Sequence, residues 1–262
     1  SKKKQFYESL ANYKKKINCI FHLAAQAGVR YSIENPDVYI SSNLVAFFNI
    51  ISFAKDNNIK YVFYASSSSV YGDNIGKLGL NKNTSRPLSL YAATKKSNEV
   101  IAHAYSETYN ITCIGLRFFT VYGPYGRPDM SIFKFTKAIS QKNALELYNN
   151  GNHFRDFTYI DDAVHLINSI YKKKSKLPKS NIFNISNGKK VKITKVISLI
   201  KKNLSADNLS LKKLPLQIGD IHTTLSDPSF TNKFTKISKR TPIEIGIKKF
   251  VKWYIEYFSV SK

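Results

Sequence analysis

Three short apolar runs, each followed by small or polar residues, constrain the fold of this 262-residue chain most strongly. They cover residues 17–23, 60–66 and 111–117, and each is rich in the β-branched and aromatic residues that buried strands favour. Helical patterns at about 37–56 and 90–109 separate them. Strands that alternate with helices in this way predict an α/β fold with a doubly wound parallel sheet.

Polar clusters occur at the points where these three strands end. His22 to Gln26 follow the first strand, Ser66 to Ser69 the second, and Arg117 to Gly123 the third. In open parallel sheets, ligands bind beyond the carboxyl ends of the strands. The sequence therefore predicts a binding site at this edge of the sheet.

The second and third polar clusters flank a candidate proton-transfer group. Tyr91 and Lys95 are four residues apart at the start of a helix, so their side chains share a face. A nearby ammonium lowers the pKa of a phenol, and such a Tyr can take a proton from an alcohol while hydride leaves the same carbon. An exposed helix with an incidental Tyr would show the same spacing. The serine cluster at the preceding strand end favours the catalytic interpretation over that one.

The charge balance invites a different function, the binding of a polyanion. Lys and Arg outnumber Asp and Glu by 41 to 17, which gives a formal net charge of +24. The lysines are nevertheless scattered in pairs and triplets, as in Lys2 to Lys4, Lys14 to Lys16 and Lys172 to Lys174. We therefore expect a solvated basic surface that attracts an anionic substrate, and no nucleic-acid partner.

The remaining composition predicts neither a metal site nor a membrane span. Cys19 and Cys113 lie in apolar stretches and are expected to be buried free thiols, and the five histidines form no cluster. The apolar run from Leu44 to Ala54 is shorter than a bilayer span, and the start of the sequence lacks the apolar core of a signal peptide. We expect a cytoplasmic protein.

The second half of the chain has a looser pattern after the Gly- and Pro-rich loop 122–128. Thr194 is a candidate cap for a helix at 194–204, and residues 205–240 are expected to be irregular. Thr241-Pro242-Ile243-Glu244 has the form of a capping box at the start of the last helix.

Several motifs together resemble the extended short-chain dehydrogenase/reductase superfamily, and within it the nucleotide-sugar epimerases, most closely the UDP-glucuronate 4-epimerases. The resemblance covers essentially the whole chain. The residues that carry it are His22 to Ser32, Ser66 to Gly72, Tyr91 to Glu99, Arg117 to Met130, Arg155 to Asp162, and Gly246 to Tyr254.

The resemblance implies a Rossmann-like domain, NAD as cofactor and a UDP-sugar as substrate. Ser67, Tyr91 and Lys95 would be catalytic, with Tyr91 as the acid/base and Lys95 also binding the nicotinamide ribose. The other implied positions are Ala24, Ala25, Asn43, Phe118 and Val121 for the cofactor, and Thr120, Arg127 and Arg155 for the sugar nucleotide.

The resemblance also implies a division of the chain and a partner. Residues 1–121, with 155–186 returning to them, would be the remainder of the NAD-binding domain. Residues 122–154 and 187–262 would form a smaller substrate-binding part. The helices near 37–56 and 90–109 would form a homodimer interface.

Ser68 and Ser69 occupy the positions at which related dehydratases and decarboxylases carry an acidic residue before Val-Tyr-Gly. Without that carboxylate, epimerisation through a 4-keto intermediate is favoured over elimination. We expect Ser68, Ser69 and Thr120 to hold the carboxylate of a uronic acid against loss of carbon dioxide.

One part of the family pattern has no counterpart here, the Gly-x-x-Gly-x-x-Gly turn that holds the cofactor pyrophosphate. The 11 glycines never take that spacing. Three interpretations remain open: a truncated sequence, which we expect to be inactive by itself; half of a split protein; or a non-catalytic relative that binds a sugar nucleotide or a protein. Another nucleotide-sugar epimerase or dehydratase activity is a further alternative.

Overall fold

The computed structural model describes residues 2–10, 17–206, 209–215 and 221–259. The chain divides into two compact units. The first consists of Ser1–Ile75, Leu80–Phe118 and Ile170–Asn184, and the second of Gly76–Gly79, Phe119–Ser169 and Ile185–Lys262.

A four-stranded sheet forms the centre of the first unit. Its strands are β1 (Cys19–His22), β2 (Tyr61–Ser67), β3 (Thr112–Phe118) and β7 (Ser180–Ile185), in the order β1-β2-β3-β7. β1 pairs with β2, and β2 with β3, in parallel. The three strands predicted from the apolar runs and the α/β class are thus confirmed.

The helices of the first unit are α1 (Lys2–Ser9), α2 (Tyr31–Glu34), α3 (Pro36–Tyr39), α4 (Ala46–Asp56) and α5 (Leu90–Tyr109). A π-helical segment, Ile40–Val45, joins α3 to α4. The core contains side chains from α4, α5, β2 and β3, among them Phe47, Ile51, Val62, Ala102 and Cys113. The thiol of Cys113 is buried and that of Cys19 half-buried, and both are free.

The helical stretch Pro36–Asp56 is long and apolar enough, by length and composition alone, to cross a bilayer. It is longer than the apolar run 44–54, which is too short for a bilayer span. In the first unit, Phe47, Ile51 and Ala54 of this stretch are completely buried in the core. Because core helices meet the same criterion of length and hydropathy, the finding is weak evidence for a membrane span.

The second unit contains two small sheets. β4 (Thr120–Tyr122), β6 (Phe154–Tyr159) and β8 (Lys190–Lys192) form one in the order β4-β6-β8, and β5 (Leu145–Tyr148) pairs with β9 (Leu211–Leu214) in the other. Its helices are α6 (Ser131–Ser140), α7 (Ile160–Lys172), which ends in the first unit, α8 (Ile193–Asn203), α9 (Ser229–Thr235) and α10 (Ile243–Phe258). Its core combines Phe133, Phe157, Ile197, Ile247 and Phe250.

Residues 155–169, which the resemblance assigned to the NAD-binding domain, group by contacts with the second unit, in which β6 pairs with β4 and β8. The secondary structure of this unit differs from the sequence predictions in three places. Residues 205–240 contain β9 and α9 and are therefore not wholly irregular. Thr194 lies inside α8, which begins after Lys192 without a side-chain cap, so the predicted cap is wrong.

The predicted capping box at Thr241 is also wrong. α10 begins at Ile243 after Pro242, without a side-chain cap. The Thr241 hydroxyl and backbone N–H instead donate to the Asp162 carboxylate, at 3.1 and 2.7 Å. The Thr241 side chain therefore bonds to a carboxylate on α7 and does not cap α10.

Candidate active site

The serine cluster forms a tight turn at the carboxyl end of β2. The Ser67 Oγ accepts a hydrogen bond from the Ser69 backbone N–H at 3.1 Å and donates to the Ser69 Oγ at 3.2 Å. Ser68–Tyr71 then form one 3₁₀ turn. Ser67 is nearly buried, while Ser68 and Ser69 are half-buried.

Gly72 closes this turn in a conformation that a side chain would obstruct. Its φ is +58°, and a Cβ at this position would lie 2.4 Å from the Arg86 carbonyl oxygen. The turn therefore requires glycine at this position.

α5 brings Tyr91 and Lys95 to the same end of the sheet. The Ser89 Oγ caps the helix by accepting the Ala92 backbone N–H at 3.1 Å. Lys95 Nζ lies 6.0 Å from the centre of the Tyr91 ring and donates to the Ala65 carbonyl oxygen of β2 at 2.9 Å. The predicted pair thus shares a helix face, and Lys95 is bonded to β2, the strand that ends at Ser67.

The Lys95 ammonium lies in a dry environment. Lys95 is 3% exposed, and its burial lowers its pKa from 10.5 to about 8. At the end of β1, burial first and the Lys95 charge second lower the pKa of His22 to about 4. At neutral pH His22 is therefore an uncharged neighbour of a lysine that is mostly protonated.

Asn43, expected to line the cofactor, uses its amide for contacts within the protein. Its Nδ2 donates to the Gln26 carbonyl oxygen and to the Thr94 Oγ1, both at 3.0 Å, and its Oδ1 accepts the Gln26 backbone N–H at 2.8 Å. It lies in the π-helical segment, and π-bulges recur at functional sites. Asn43 therefore fixes the segment after β1 against α5.

That segment exposes two of its alanines to solvent. Ala24 and Ala25 are exposed directly after β1. Phe118 ends β3 and is the register partner of Ser67 on β2. The first unit thus brings together, at the carboxyl ends of β1, β2 and β3, the predicted positions Ala24, Ala25, Asn43, Ser67, Ser68, Ser69, Tyr91, Lys95 and Phe118.

The other predicted positions belong to the second unit. Thr120 and Val121 are half-buried on β4, opposite Phe157 and Thr158 of β6. Arg155, on β6, donates through Nη1 to the carbonyl oxygens of Phe154 and His222, at 2.9 and 3.2 Å.

Arg127 lies in the loop between β4 and α6 and is about half exposed. Its guanidinium forms a forked ion pair with Asp129. An arginine at this position offers the planar set of donors that suits a diphosphate or a carboxylate.

Four residues in or beside these motifs have no predicted role in the sequence analysis: His22, which is half-buried, and Glu99, Arg117 and Asp156, which are buried. Asp156 accepts the backbone N–H groups of Asn187 and Gly188, both at 2.9 Å, and of Ser226 at 3.1 Å. One sequence signal was available for Glu99, which follows Lys95 by the same four residues that separate Lys95 from Tyr91. Within the described ranges, no group of three His, Cys, Asp or Glu side chains is arranged to hold a metal ion.

A sequence model described as the NAD dependent epimerase/dehydratase family matches residues 6–186. Protein CapI of Staphylococcus aureus is 45% identical over an alignment of 255 residues, which covers 91% of this chain and 76% of CapI. UDP-glucuronate 4-epimerase 4 of Arabidopsis thaliana is 40% identical over 259 residues, which cover 93% of this chain and 59% of that protein.

A solved structure gives the same likeness in three dimensions. The UDP-glucuronic acid 4-epimerase from Bacillus cereus, in complex with UDP-glucuronic acid and NAD, matches with a TM-score of 0.87 and 28% sequence identity. The match covers 95% of this chain and 78% of that chain.

Proposed function

The chain belongs to the NAD dependent epimerase/dehydratase family, and we propose that within it the chain is a UDP-sugar 4-epimerase that converts UDP-glucuronate to UDP-galacturonate. The observation that carries the proposal is the placement of Tyr91 and Lys95 on one face of α5, with Lys95 bonded to the strand that ends in Ser67. Relatives named as UDP-glucuronate 4-epimerases support the choice of sugar.

The residues at the carboxyl ends of β1 and β2 fit the nicotinamide end of NAD. The buried Lys95 ammonium suits a ribose hydroxyl, and the exposed Ala24 and Ala25 leave the backbone after β1 accessible. A bound NAD would provide the hydride acceptor for oxidation at C4 of the sugar and the hydride donor for reduction from the opposite face. The glycine-rich turn that would hold the pyrophosphate is not found among the 11 glycines of this sequence.

Tyr91 would move the proton of this reaction. Its phenolate takes the proton of the C4 hydroxyl as the carbon is oxidised to a ketone, and its phenol returns the proton on reduction. The positive charge of Lys95 favours the phenolate of Tyr91, because a nearby ammonium stabilises the negative charge. The Ser67 hydroxyl shares the proton or holds the substrate oxygen.

Residues of the second unit would recognise the sugar nucleotide. Arg127 and Arg155 are proposed to contact its charged groups, because guanidinium groups bind phosphate and carboxylate in a forked geometry. Thr120, on β4 of the second unit, is also proposed to face the sugar nucleotide. Ser68 and Ser69, which belong to the first unit, are proposed to hold the uronate carboxylate of the β-keto acid, which would otherwise lose carbon dioxide. None of these side chains supplies the carboxylate that would assist an elimination.

We further propose a homodimer through the helical stretch Pro36–Asp56 and α5. Both carry large apolar side chains that the first unit leaves exposed, including Val45, Phe48, Val100 and Tyr109. Such a patch favours a protein–protein contact. Sedimentation equilibrium tests the assignment, which a monomer at micromolar concentration would contradict.

The function is tested by incubating the protein with NAD and UDP-glucuronate and following UDP-galacturonate by NMR. The epimerase proposal predicts turnover, whereas the interpretation of the sequence as truncated and inactive by itself predicts none. With turnover, we expect a loss of about 10²- to 10⁴-fold in Tyr91→Phe, the range typical of a general acid/base, and no loss in the control Tyr148→Phe on β5. UDP-glucose should not be epimerised, and equal turnover of both sugars would refute the carboxylate role.

The same experiment separates the two classes of function left open by the sequence. If UDP-glucuronate raises the melting temperature but is never converted in the presence of NAD, the chain by itself binds the sugar nucleotide without turnover, as the truncated and the non-catalytic interpretations both predict. If the wild-type protein converts UDP-glucuronate and Tyr91→Phe is equally active, the assignment as an epimerase stands, but Tyr91 is not its acid/base.

A further inference from the structure

Glu99 is the centre of a buried polar network behind the proposed catalytic group. Its Oε1 accepts the Ser66 hydroxyl at 2.7 Å and the Arg117 Nε at 2.8 Å, while its Oε2 accepts the Arg117 Nη2 at 2.8 Å. Ser66, Glu99 and Arg117 are 2%, 6% and 5% exposed. Water therefore competes poorly for these bonds, which join α5 to β2 and β3.

The network is attached next to the proposed catalytic residues. Ser66 directly precedes Ser67 on β2, and Glu99 lies about one helical turn beyond Lys95 on α5. Lys95 is bonded to Ala65, the residue before Ser66. Two consecutive residues of β2 thus hold two residues about a turn apart on α5, which fixes both the position and the rotation of the helix.

Arg117 is itself held in place. Its guanidinium carbon lies 4.7 Å from the centre of the Tyr71 ring, and the Tyr71 hydroxyl donates to the Asn184 Oδ1 at 2.8 Å. Burial alone would raise the pKa of the Glu99 carboxyl, but the hydrogen bonds and charge of Arg117, with the Ser66 hydroxyl, outweigh it and lower that pKa. Glu99 therefore stays ionised at neutral pH.

We propose that Glu99, through Ser66 and Arg117, is a positioning residue that sets how Lys95 and Tyr91 lie beside Ser67. Its side chain acts through α5 and β2, which carry the reacting groups. The kinetic consequence rests on the proposed function, whereas the effect on the surroundings of Lys95 does not.

The surroundings of Lys95 report on this positioning. Burial keeps the pKa of Lys95 near 8, and the groups that face it are His22 from β1, Tyr91 on its own helix and the Ala65 carbonyl of β2. If α5 loosens, water reaches the ammonium and its pKa rises. Removing the Glu99 charge without movement would act in the opposite direction, because loss of an anion lowers the pKa of a lysine.

The test is the titration of Lys95 in Glu99→Gln, followed by NMR of protein labelled with ¹³C-lysine and assigned by the missing signal of Lys95→Met. We expect the pKa of Lys95 to rise by about one unit or more, and to stay unchanged in Glu107→Gln, the same change at an exposed site on α5. Turnover of UDP-glucuronate should fall about 10- to 100-fold in kcat with little change in KM, as expected for misplaced groups.

A pKa of Lys95 that is unchanged or lowered in a folded Glu99→Gln protein would overturn the proposal and leave Glu99 as a purely structural ion pair. If Glu99→Gln does not fold, Ser66→Ala removes only one of the bonds to Glu99 and should shift the pKa of Lys95 in the same direction by less. If no variant or wild type is active, the proposed function fails, but the titration still decides the positioning role.

Discussion

Glu99 in the first unit and Asp156 in the second are both buried carboxylates, but a cation holds one and backbone N–H groups hold the other. Arg117 forms a forked pair with Glu99. Asp156 is completely buried and accepts three backbone N–H groups, with Arg240 as a weaker electrostatic neighbour.

The difference appears in the pKa of each group. At Glu99 burial raises the pKa of the carboxyl, but Arg117, the Ser66 hydroxyl and the charge of Lys96 together outweigh it and lower that pKa. At Asp156 burial prevails over the backbone hydrogen bonds and raises the pKa from 3.8 to about 6. The Glu99 carboxylate, paired with a full counter-charge, joins α5, β2 and β3 beside the proposed catalytic residues. The Asp156 carboxylate, bonded to backbone N–H groups, fixes the loop segments at 187–188 and 226.

Breaking the ion pair should have the largest effect on stability. Arg117→Met removes the forked partner of the buried Glu99 carboxylate and leaves Lys96, whose Nζ lies 3.4 Å from Oε2, as a more exposed cation. We expect the free energy of unfolding to fall by about 3 kcal/mol, the lower end of the range for a broken buried ion pair. Urea denaturation at pH 7 measures it. The control is Lys252→Met, which removes an exposed pair with Glu256 and should change stability by about 0.5 kcal/mol or less. A loss in Arg117→Met no larger than in that control would show that Glu99 does not depend on Arg117.

Replacing the second carboxylate should have a smaller effect at neutral pH. Asp156→Asn puts an NH₂ group where an oxygen accepts backbone N–H groups, and we expect a loss of about 1–3 kcal/mol at pH 7. Asp161→Asn, an exposed change near the start of α7, is the control and should be almost neutral. Equal stability of the two variants would contradict the role assigned to Asp156.

The pH dependence of this loss separates the two carboxylates. The pKa of Asp156 is raised in the folded state, so the wild type gains stability relative to Asp156→Asn as the pH falls from about 6 to 3.8, by at most about 3 kcal/mol. For Glu99 the pKa is lowered, so its contribution is present above 4.5 and is lost as the pH falls through its folded value. The two wild-type-minus-variant differences should therefore have opposite slopes in acid.

Local patterns in the sequence predicted the framework of the site but not these networks. The apolar runs indicated β1, β2 and β3, and helical spacing placed Tyr91 and Lys95 on one face of α5. The partners of Asp156 lie 31, 32 and 70 residues away. The buried partners of Glu99, Ser66 and Arg117, lie 33 and 18 residues away, and only the more exposed Lys96 contact among those described here is local. Contacts at these separations depend on the sheet order, which no local period encodes. A contact between distant residues also explains Thr241, whose hydroxyl bonds to Asp162, 79 residues away, and does not cap α10.

Lys95 extends the comparison to a buried cation, one bonded to a backbone carbonyl oxygen, and its replacement should change stability in the opposite direction. Because its pKa is about 8 when folded and 10.5 ordinarily, the unfolded state binds more protons between these values, and stability rises with pH across that range.

Lys95→Met removes the cost of the buried charge. We expect a gain of about 1–3 kcal/mol at pH 7, since the shift sets a limit near 3 kcal/mol and the lost bond to Ala65 reduces it. Urea denaturation from pH 7 to 10.5 should show this gain shrinking, with Lys252→Met as the control, and a pH-independent loss would mean that the ammonium is not desolvated. A gain in stability together with a loss of turnover would indicate that the buried charge is maintained for catalysis at the expense of the fold.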